Sequence, residues 1–189
     1  ILHASAGHGH ARAAEAIREG FLACGIPEKD LLLLDVLDET PSWFRKAYTS
    51  VYYYSVKHIP EVWGRFYALL DQGWFYRSLG RFVRRMLNGW IGQGLVRRMA
   101  REKPDAILFT HFLAPEVLGH AKMRGMISSL LVTVVTDFLP HRFWVNPGTD
   151  HYWVMSKEGQ EILERWGVPS ERITAGGIPI SLRFRPQGK

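Results

Sequence analysis

Short apolar runs alternate with amphipathic segments along most of this 189-residue chain, and this alternation limits its fold more than any other feature. The runs have the length of buried strands, and the segments between them carry apolar residues at helical spacing. Strands that alternate with helices favour a parallel sheet covered on both faces. We therefore predict an α/β, Rossmann-like fold with strands at 1–4, 31–37, 105–110, 130–136, 152–155 and 172–175, and helices at 11–24, 114–124 and 157–166.

The segment from Ser42 to Lys103 interrupts this alternation and differs in composition from the rest. It has a net charge of +9 against −3 for the remainder, and it holds 14 of the 24 aromatic residues. Its pattern predicts helices at 42–54, 60–70, 74–90 and 95–101. A basic, aromatic-rich insert in a slightly acidic domain indicates an anionic partner, either a membrane or a nucleic acid.

The predicted helix from Trp74 to Trp90 separates an apolar face from a face with four arginines and no acidic residue. This separation is typical of a helix lying in a membrane interface, although a helix packed on a protein core also has an apolar face. The longest stretch without a charged residue has 12 residues, too few to cross a bilayer, so we expect peripheral contact. The candidate membrane-binding residues are Trp74, Phe75, Arg77, Arg81, Phe82, Arg84, Arg85 and Trp90.

A glycine-containing turn follows the first predicted strand and precedes the first helix. In an open parallel sheet ligands bind beyond the carboxyl ends of strands, and a helix N-terminus favours negative charge. The candidate ligand-binding residues of the turn are Gly7, His8 and Gly9. His10 comes next, and its imidazole is suited to accept a proton near neutral pH. The alternative is an ordinary turn whose histidines cap the helix or pack against it.

A second candidate segment follows the strand at 130–136. Asp137 stands at the end of this strand and should face the same crevice as His10, with His141 and Trp144 on the following loop. The alternative is that Asp137 caps a turn and the other two residues pack the loop. The histidines do not form a metal-ligand pattern, so no metal is expected. The single cysteine, Cys24, excludes an internal disulfide.

Three segments in this order resemble one family. They are Ser5 to Ile17, Val135–Thr136–Asp137 with His141 and Trp144, and Gly177 to Ile180 with Phe184. Together they resemble the N-terminal domain of monogalactosyldiacylglycerol synthases, which bacterial processive diacylglycerol glucosyltransferases share. The resemblance covers nearly the whole chain. The family's turn usually has three small residues before its histidine, and here His8 interrupts that pattern.

The resemblance implies that residues 1–189 are the acceptor-binding half of a GT-B glycosyltransferase, with a donor-binding C-terminal half outside this sequence. Such an enzyme transfers a hexose from a UDP-sugar to diacylglycerol with inversion and uses no cofactor beyond that co-substrate. His10 would take the acceptor's proton, and Asp137 would be the alternative base or the group that orients it. The insert at 42–103 would dock on anionic lipid at the cytoplasmic face of the membrane, with Pro41, Trp43 and Phe44 at the acceptor's entrance. The isolated half would be inactive.

Two other functions remain open at this point. An undecaprenyl-linked cell-wall glycosyltransferase shares the fold, the turn and membrane docking, although it usually has a cleaner glycine-rich turn and a simpler insert. A nucleic-acid-binding module would use the aromatic and basic residues of the insert for stacking and phosphate contacts. The apolar face of the helix at 74–90 is too continuous and too aliphatic for a stacking surface, so the membrane is the favoured partner.

Overall fold

The structure is a computed structural model that describes residues 1–5, 8–58 and 91–184. Within these residues the core is a parallel sheet in the order β2-β1-β3-β4-β5-β6. The α/β fold with a parallel sheet predicted from the sequence is confirmed. The strands are β1 (Leu2–His3), β2 (Leu34–Asp35), β3 (Ala106–Phe109), β4 (Leu130–Val134), β5 (His151–Val154) and β6 (Ile173–Ala175).

Helices connect these strands, and short 3₁₀ turns occupy several of the remaining loops. The helices are α1 (His8–Ala23), α2 (Ser42–His58), α3 (Gln93–Glu102), α4 (Leu113–Met123) and α5 (Lys157–Arg165). None of the helices in the described part of the chain is both long enough and apolar enough to span a bilayer. The helices predicted at 60–70 and 74–90 lie outside the described residues.

Two boundaries differ from the prediction. Helix α1 begins at His8, three residues earlier than the apolar spacing indicated. Strand β2 has only two residues, although an apolar run of seven was predicted as a strand. The backbone turns after Asp35 because its carboxylate accepts a hydrogen bond from the Leu37 amide, which starts a 3₁₀ turn. Val36 and Leu37 are still buried, so their apolar character reflects the core and not an extended strand.

The strand order creates a crevice between β1 and β3. Strand β2 lies on one side of β1 and β3 on the other, so the chain leaves β1 in one direction and returns on the opposite side. At such a switch point the loops beyond the carboxyl ends diverge, and open α/β sheets bind their ligands there. The segment after β4 lies at the same edge, because β4 is the next strand beyond β3.

Both ends of the insert are anchored in the main hydrophobic core. Phe44 near the start of α2 and Leu95 and Met99 of α3 are buried in the same cluster as Leu2 and Ile107 of the sheet. The insert therefore continues the packed domain at both ends, and its first helix lies against the body that carries the crevice.

Candidate active site

His10 is the third residue of α1, and its side chain reaches over the ends of two strands. Its Nδ1 atom lies 2.7 Å from the carbonyl oxygen of Thr110, the residue after β3. The same atom lies 2.7 Å from the hydroxyl of Thr136, which follows β4 by two residues. The Thr110 hydroxyl in turn donates to the carbonyl of His10 at 2.8 Å. The first turn of α1 is thus fixed to the carboxyl edge of the sheet at the switch point.

These contacts determine which nitrogen of His10 carries the hydrogen. A carbonyl oxygen can only accept, so Nδ1 must donate to Thr110. The Thr136 hydroxyl donates to the same carbonyl at 3.2 Å, which leaves its oxygen to accept from Nδ1. In the neutral imidazole the lone pair is therefore on Nε2. A lone pair on a half-buried imidazole at the sheet edge can accept a proton from an alcohol.

The surroundings of His10 keep its imidazole neutral near pH 7. Burial lowers the pKa of His10, and the hydrogen bond to Thr110 and the carboxylate of Asp137 raise it in part, so that the net pKa lies below the usual 6.5. The ring of His111 meets the ring of His10 edge to face, with centroids 4.5 Å apart. Trp144 lies on another side, at 6.3 Å. These rings exclude water, which disfavours the charged form.

Asp137 follows β4 by three residues, and the side chains that bond to its carboxylate belong to the loop that follows it. Its Oδ2 atom accepts a hydrogen bond of 2.6 Å from the indole of Trp144 and lies 3.3 Å from Nε2 of His141. Burial raises the pKa of Asp137, but the contacts with His141 and Trp144 and the nearby His10 outweigh it, so that the net pKa lies below its usual value. The carboxylate is therefore ionised. In the described structure the groups that orient the His10 ring are Thr110 and Thr136.

One face of α2 borders the site. Phe44, Tyr48 and Tyr52 follow each other at intervals of four residues and so lie on one side of the helix. Phe44 packs on Tyr48, whose hydroxyl lies 3.5 Å from Nε2 of His111. Burial raises the pKa of Tyr52, and the nearby Tyr53 and Asp137 add to this effect.

The other residues predicted to bind substrate have different positions. His8 and Gly9 are exposed on the first turn of α1, and Gly7 lies outside the described residues. Pro41 starts α2 by accepting backbone hydrogen bonds, and Trp43 is 53% exposed near the same end. His141 and Trp144 are buried around Asp137. Phe44 was predicted at the entrance for the acceptor. Its side chain is 6% exposed and packs in the core, which leaves little of it on the surface.

All eight residues predicted to contact the membrane, from Trp74 to Trp90, lie outside the described residues. Within the described part of the chain, no group of three or more histidine, cysteine, aspartate or glutamate residues is placed to hold a metal ion.

Several residues of this site had no role predicted from the sequence. Thr110 and Thr136 orient His10, Tyr48 contacts His111, and the carboxylate of Asp35 accepts a hydrogen bond of 3.3 Å from the amide of Ser5 in the turn. The available signal was positional, since Thr110, Thr136 and Asp35 all stand at or just after the carboxyl ends of strands. At a switch point any polar residue at a strand end is a candidate for ligand binding or catalysis.

Comparison with known proteins identifies similar sequences over most of the chain. The family described as monogalactosyldiacylglycerol (MGDG) synthase matches residues 10–180. Proteins named processive diacylglycerol beta-glucosyltransferase from Bacillus thuringiensis (strain Al Hakam), Bacillus cereus (strain AH187) and Bacillus anthracis (strain A0248) are each 28% identical over 200 residues. The alignments cover 97% of this chain and 45% of each relative, so the chain spans less than half their length. No solved structure matches the chain significantly.

Proposed function

This chain belongs to the monogalactosyldiacylglycerol synthase family, and we propose that it is the acceptor-binding half of an inverting enzyme that transfers a hexose from a UDP-sugar to diacylglycerol. The observation that carries the proposal is the pair of contacts that Nδ1 of His10 makes with the Thr110 carbonyl and the Thr136 hydroxyl at the switch point, from which the lone pair is assigned to Nε2. The Nε2 lone pair can take the proton that an alcohol acceptor loses as it attacks. The names of the relatives, which specify diacylglycerol, favour this acceptor over an undecaprenyl-linked one.

In the proposed reaction the free hydroxyl of diacylglycerol approaches Nε2 of His10. Its oxygen attacks the anomeric carbon of the sugar as its proton passes to Nε2, and the bond from that carbon to the UDP oxygen breaks. UDP leaves with the bonding electrons on the side opposite the incoming oxygen, so the configuration inverts. The imidazolium that forms is stabilised at Nδ1 by the Thr110 carbonyl and by the nearby charge of Asp137. General-base catalysis of this kind contributes roughly 10²–10⁴-fold.

The start of α1 supports a place for the donor's diphosphate. The first turn of α1 contains no acidic residue, and its unpaired amides and helix dipole favour an anion. Gly9 is exposed, and no atom of the described residues lies within 4 Å of the position a Cβ atom would take, so these residues leave room for a ligand against the backbone there. We propose that the backbone amides at the start of α1 and the helix dipole stabilise the departing diphosphate without a metal or other cofactor.

We propose that α2 guides the lipid acceptor from the membrane to His10. Its Tyr48–Tyr52 face borders the site, and Trp43 is exposed at its N-terminal end. The helix opens the segment 42–103, whose charge of +9 suits the anionic cytoplasmic face of a membrane. An amphipathic acceptor would keep its acyl chains in the bilayer while its hydroxyl reaches the sheet edge.

The test is a transfer assay with the full-length protein, labelled UDP-glucose or UDP-galactose, and vesicles that contain diacylglycerol. His10→Ala should lower kcat by about 10²–10⁴-fold, because the general base is lost. His120→Ala, which changes a histidine in the groove between α3 and α4, away from the site, should retain nearly full activity. The acidic limb of the pH profile of kcat/KM should have its midpoint below pH 6.5, since the pKa of His10 is lowered. Normal turnover by His10→Ala, or transfer to undecaprenyl-linked acceptors alone, would contradict the proposal.

A further inference from the structure

His111 is a buried histidine that the proposed proton transfer does not use. It is 2% exposed and stands in the connection between β3 and α4, directly after Thr110. A buried ionisable side chain costs stability unless its polar atoms are paired, so its contacts should account for its presence.

The contacts of His111 fix its tautomer and its orientation. Its Nδ1 atom accepts a hydrogen bond of 3.1 Å from the amide of Leu113, the first residue of α4. The neutral ring therefore carries its hydrogen on Nε2, which points to the Tyr48 hydroxyl 3.5 Å away. Phe112 stacks on the ring with centroids 4.3 Å apart. The imidazole is held from three sides.

The remaining side of His111 meets His10. The two imidazoles are 4.5 Å apart at 76°, so the edge of one ring faces the plane of the other. Thr110, whose carbonyl accepts the Nδ1 hydrogen of His10, is the preceding residue of the chain. A shift of His111 therefore affects two groups that contact the His10 ring, the His111 ring and the Thr110 carbonyl. We infer that His111 is a positioning residue for His10 and that Tyr48 of α2 holds it in place. This inference rests on the proposed role of His10 as the base.

Removal of the His111 ring should raise the pKa of His10. Among the described residues, the titratable groups that act on His10 are Asp137, His141 and His3, and the ring of His111 contacts it directly. Burial is the largest contribution that lowers the pKa of His10, and the His111 ring is part of that burial. Without the ring water reaches His10, so its pKa should rise toward 6.5.

The experiment uses three variants of the full-length protein. His111→Asn keeps an acceptor at the position of Nδ1 for the Leu113 amide but removes the ring beside His10. Tyr48→Phe keeps the ring of Tyr48 and removes only its hydroxyl. His120→Asn is the matched control, because His120 lines the groove between α3 and α4 and not the site. Circular dichroism checks folding, NMR of labelled histidines follows the titration of His10, and the transfer assay gives kcat and KM.

We expect His111→Asn to raise the titration midpoint of His10 and to lower kcat by about 10–100-fold at nearly constant KM, as misplacement of a catalytic group does. Tyr48→Phe should shift both quantities in the same direction by less, and His120→Asn should match the unsubstituted protein. A folded His111→Asn protein with unchanged His10 titration and kcat would overturn the inference. If that variant does not fold, an unchanged His10 titration in Tyr48→Phe overturns it instead. Absence of transfer by the unsubstituted protein would contradict the proposed function, while the titration would still decide the inference.

Discussion

Thr136 uses its hydroxyl in two directions, donating to the Thr110 carbonyl and accepting from Nδ1 of His10. Thr136→Val keeps the shape of the side chain and removes both bonds. A hydrogen bond to a charged partner contributes roughly 1.5–3 kcal/mol, so the imidazolium formed during transfer should lose stability and kcat should fall about tenfold or more. The pKa of His10 should fall further, which moves the acidic limb of the pH profile to lower pH. The measurement is the pH dependence of kcat and kcat/KM.

Thr133 provides the control for this substitution. It is a fully buried threonine of β4, and its hydroxyl has no hydrogen-bond partner among the described residues. Thr133→Val therefore changes the same atoms in the same strand region without removing a bond, and it should leave kcat and the acidic limb unchanged. Equal effects of the two substitutions would show that Thr136 acts through packing and not through His10.

At the scale of elements, α2 presents neighbouring aromatic residues to different environments. Phe44 is 6% exposed in the core, whereas Trp43 is 53% exposed. Phe44→Ala should lower the free energy of unfolding by about 3–5 kcal/mol, the usual cost of a phenylalanine cavity. Trp43→Ala should leave it within about 0.5 kcal/mol, as for exposed positions, and should weaken vesicle binding. Urea unfolding and vesicle flotation measure the two effects. A Trp43→Ala protein as destabilised as Phe44→Ala would place Trp43 in the core.

The same helix shows what the sequence could and could not predict. Alternation of strands and helices predicted each strand of the described sheet and the facing positions of His10 and Asp137. It did not predict that Phe44 packs inward, because a helix with aromatic residues on several sides does not indicate which side meets the core. The roles of Thr110 and Thr136 depend on β1, β3 and β4 lying side by side, and that order is set by tertiary packing.

At the scale of the whole molecule, the basic insert is joined to the body by packing and by ion pairs. Arg45 of α2 pairs with Asp38, and Arg98 of α3 pairs with Glu39, both in the 3₁₀ turn after β2. Exposed ion pairs contribute little stability, but here they accompany the buried residues Phe44 and Leu95. The described ends of the insert, α2 and α3, are thereby held against the body that carries His10.

The positive charge of the chain is concentrated in the insert at 42–103, which leads to a test of the proposed membrane partner. Each cation near an anionic bilayer contributes about 1 kcal/mol, so the chain should float with vesicles that contain phosphatidylglycerol and not with phosphatidylcholine alone, and added salt should release it. Replacement of Arg77, Arg81, Arg84 and Arg85 by Gln should abolish flotation. The matched control replaces four exposed basic residues outside the insert, Lys29, Arg124, Lys157 and Arg165, by Gln. It removes the same charge, so retained binding would assign the effect to position and not to net charge. Equal loss in both variants, or a gel shift with RNA and no flotation, would contradict membrane docking by this segment.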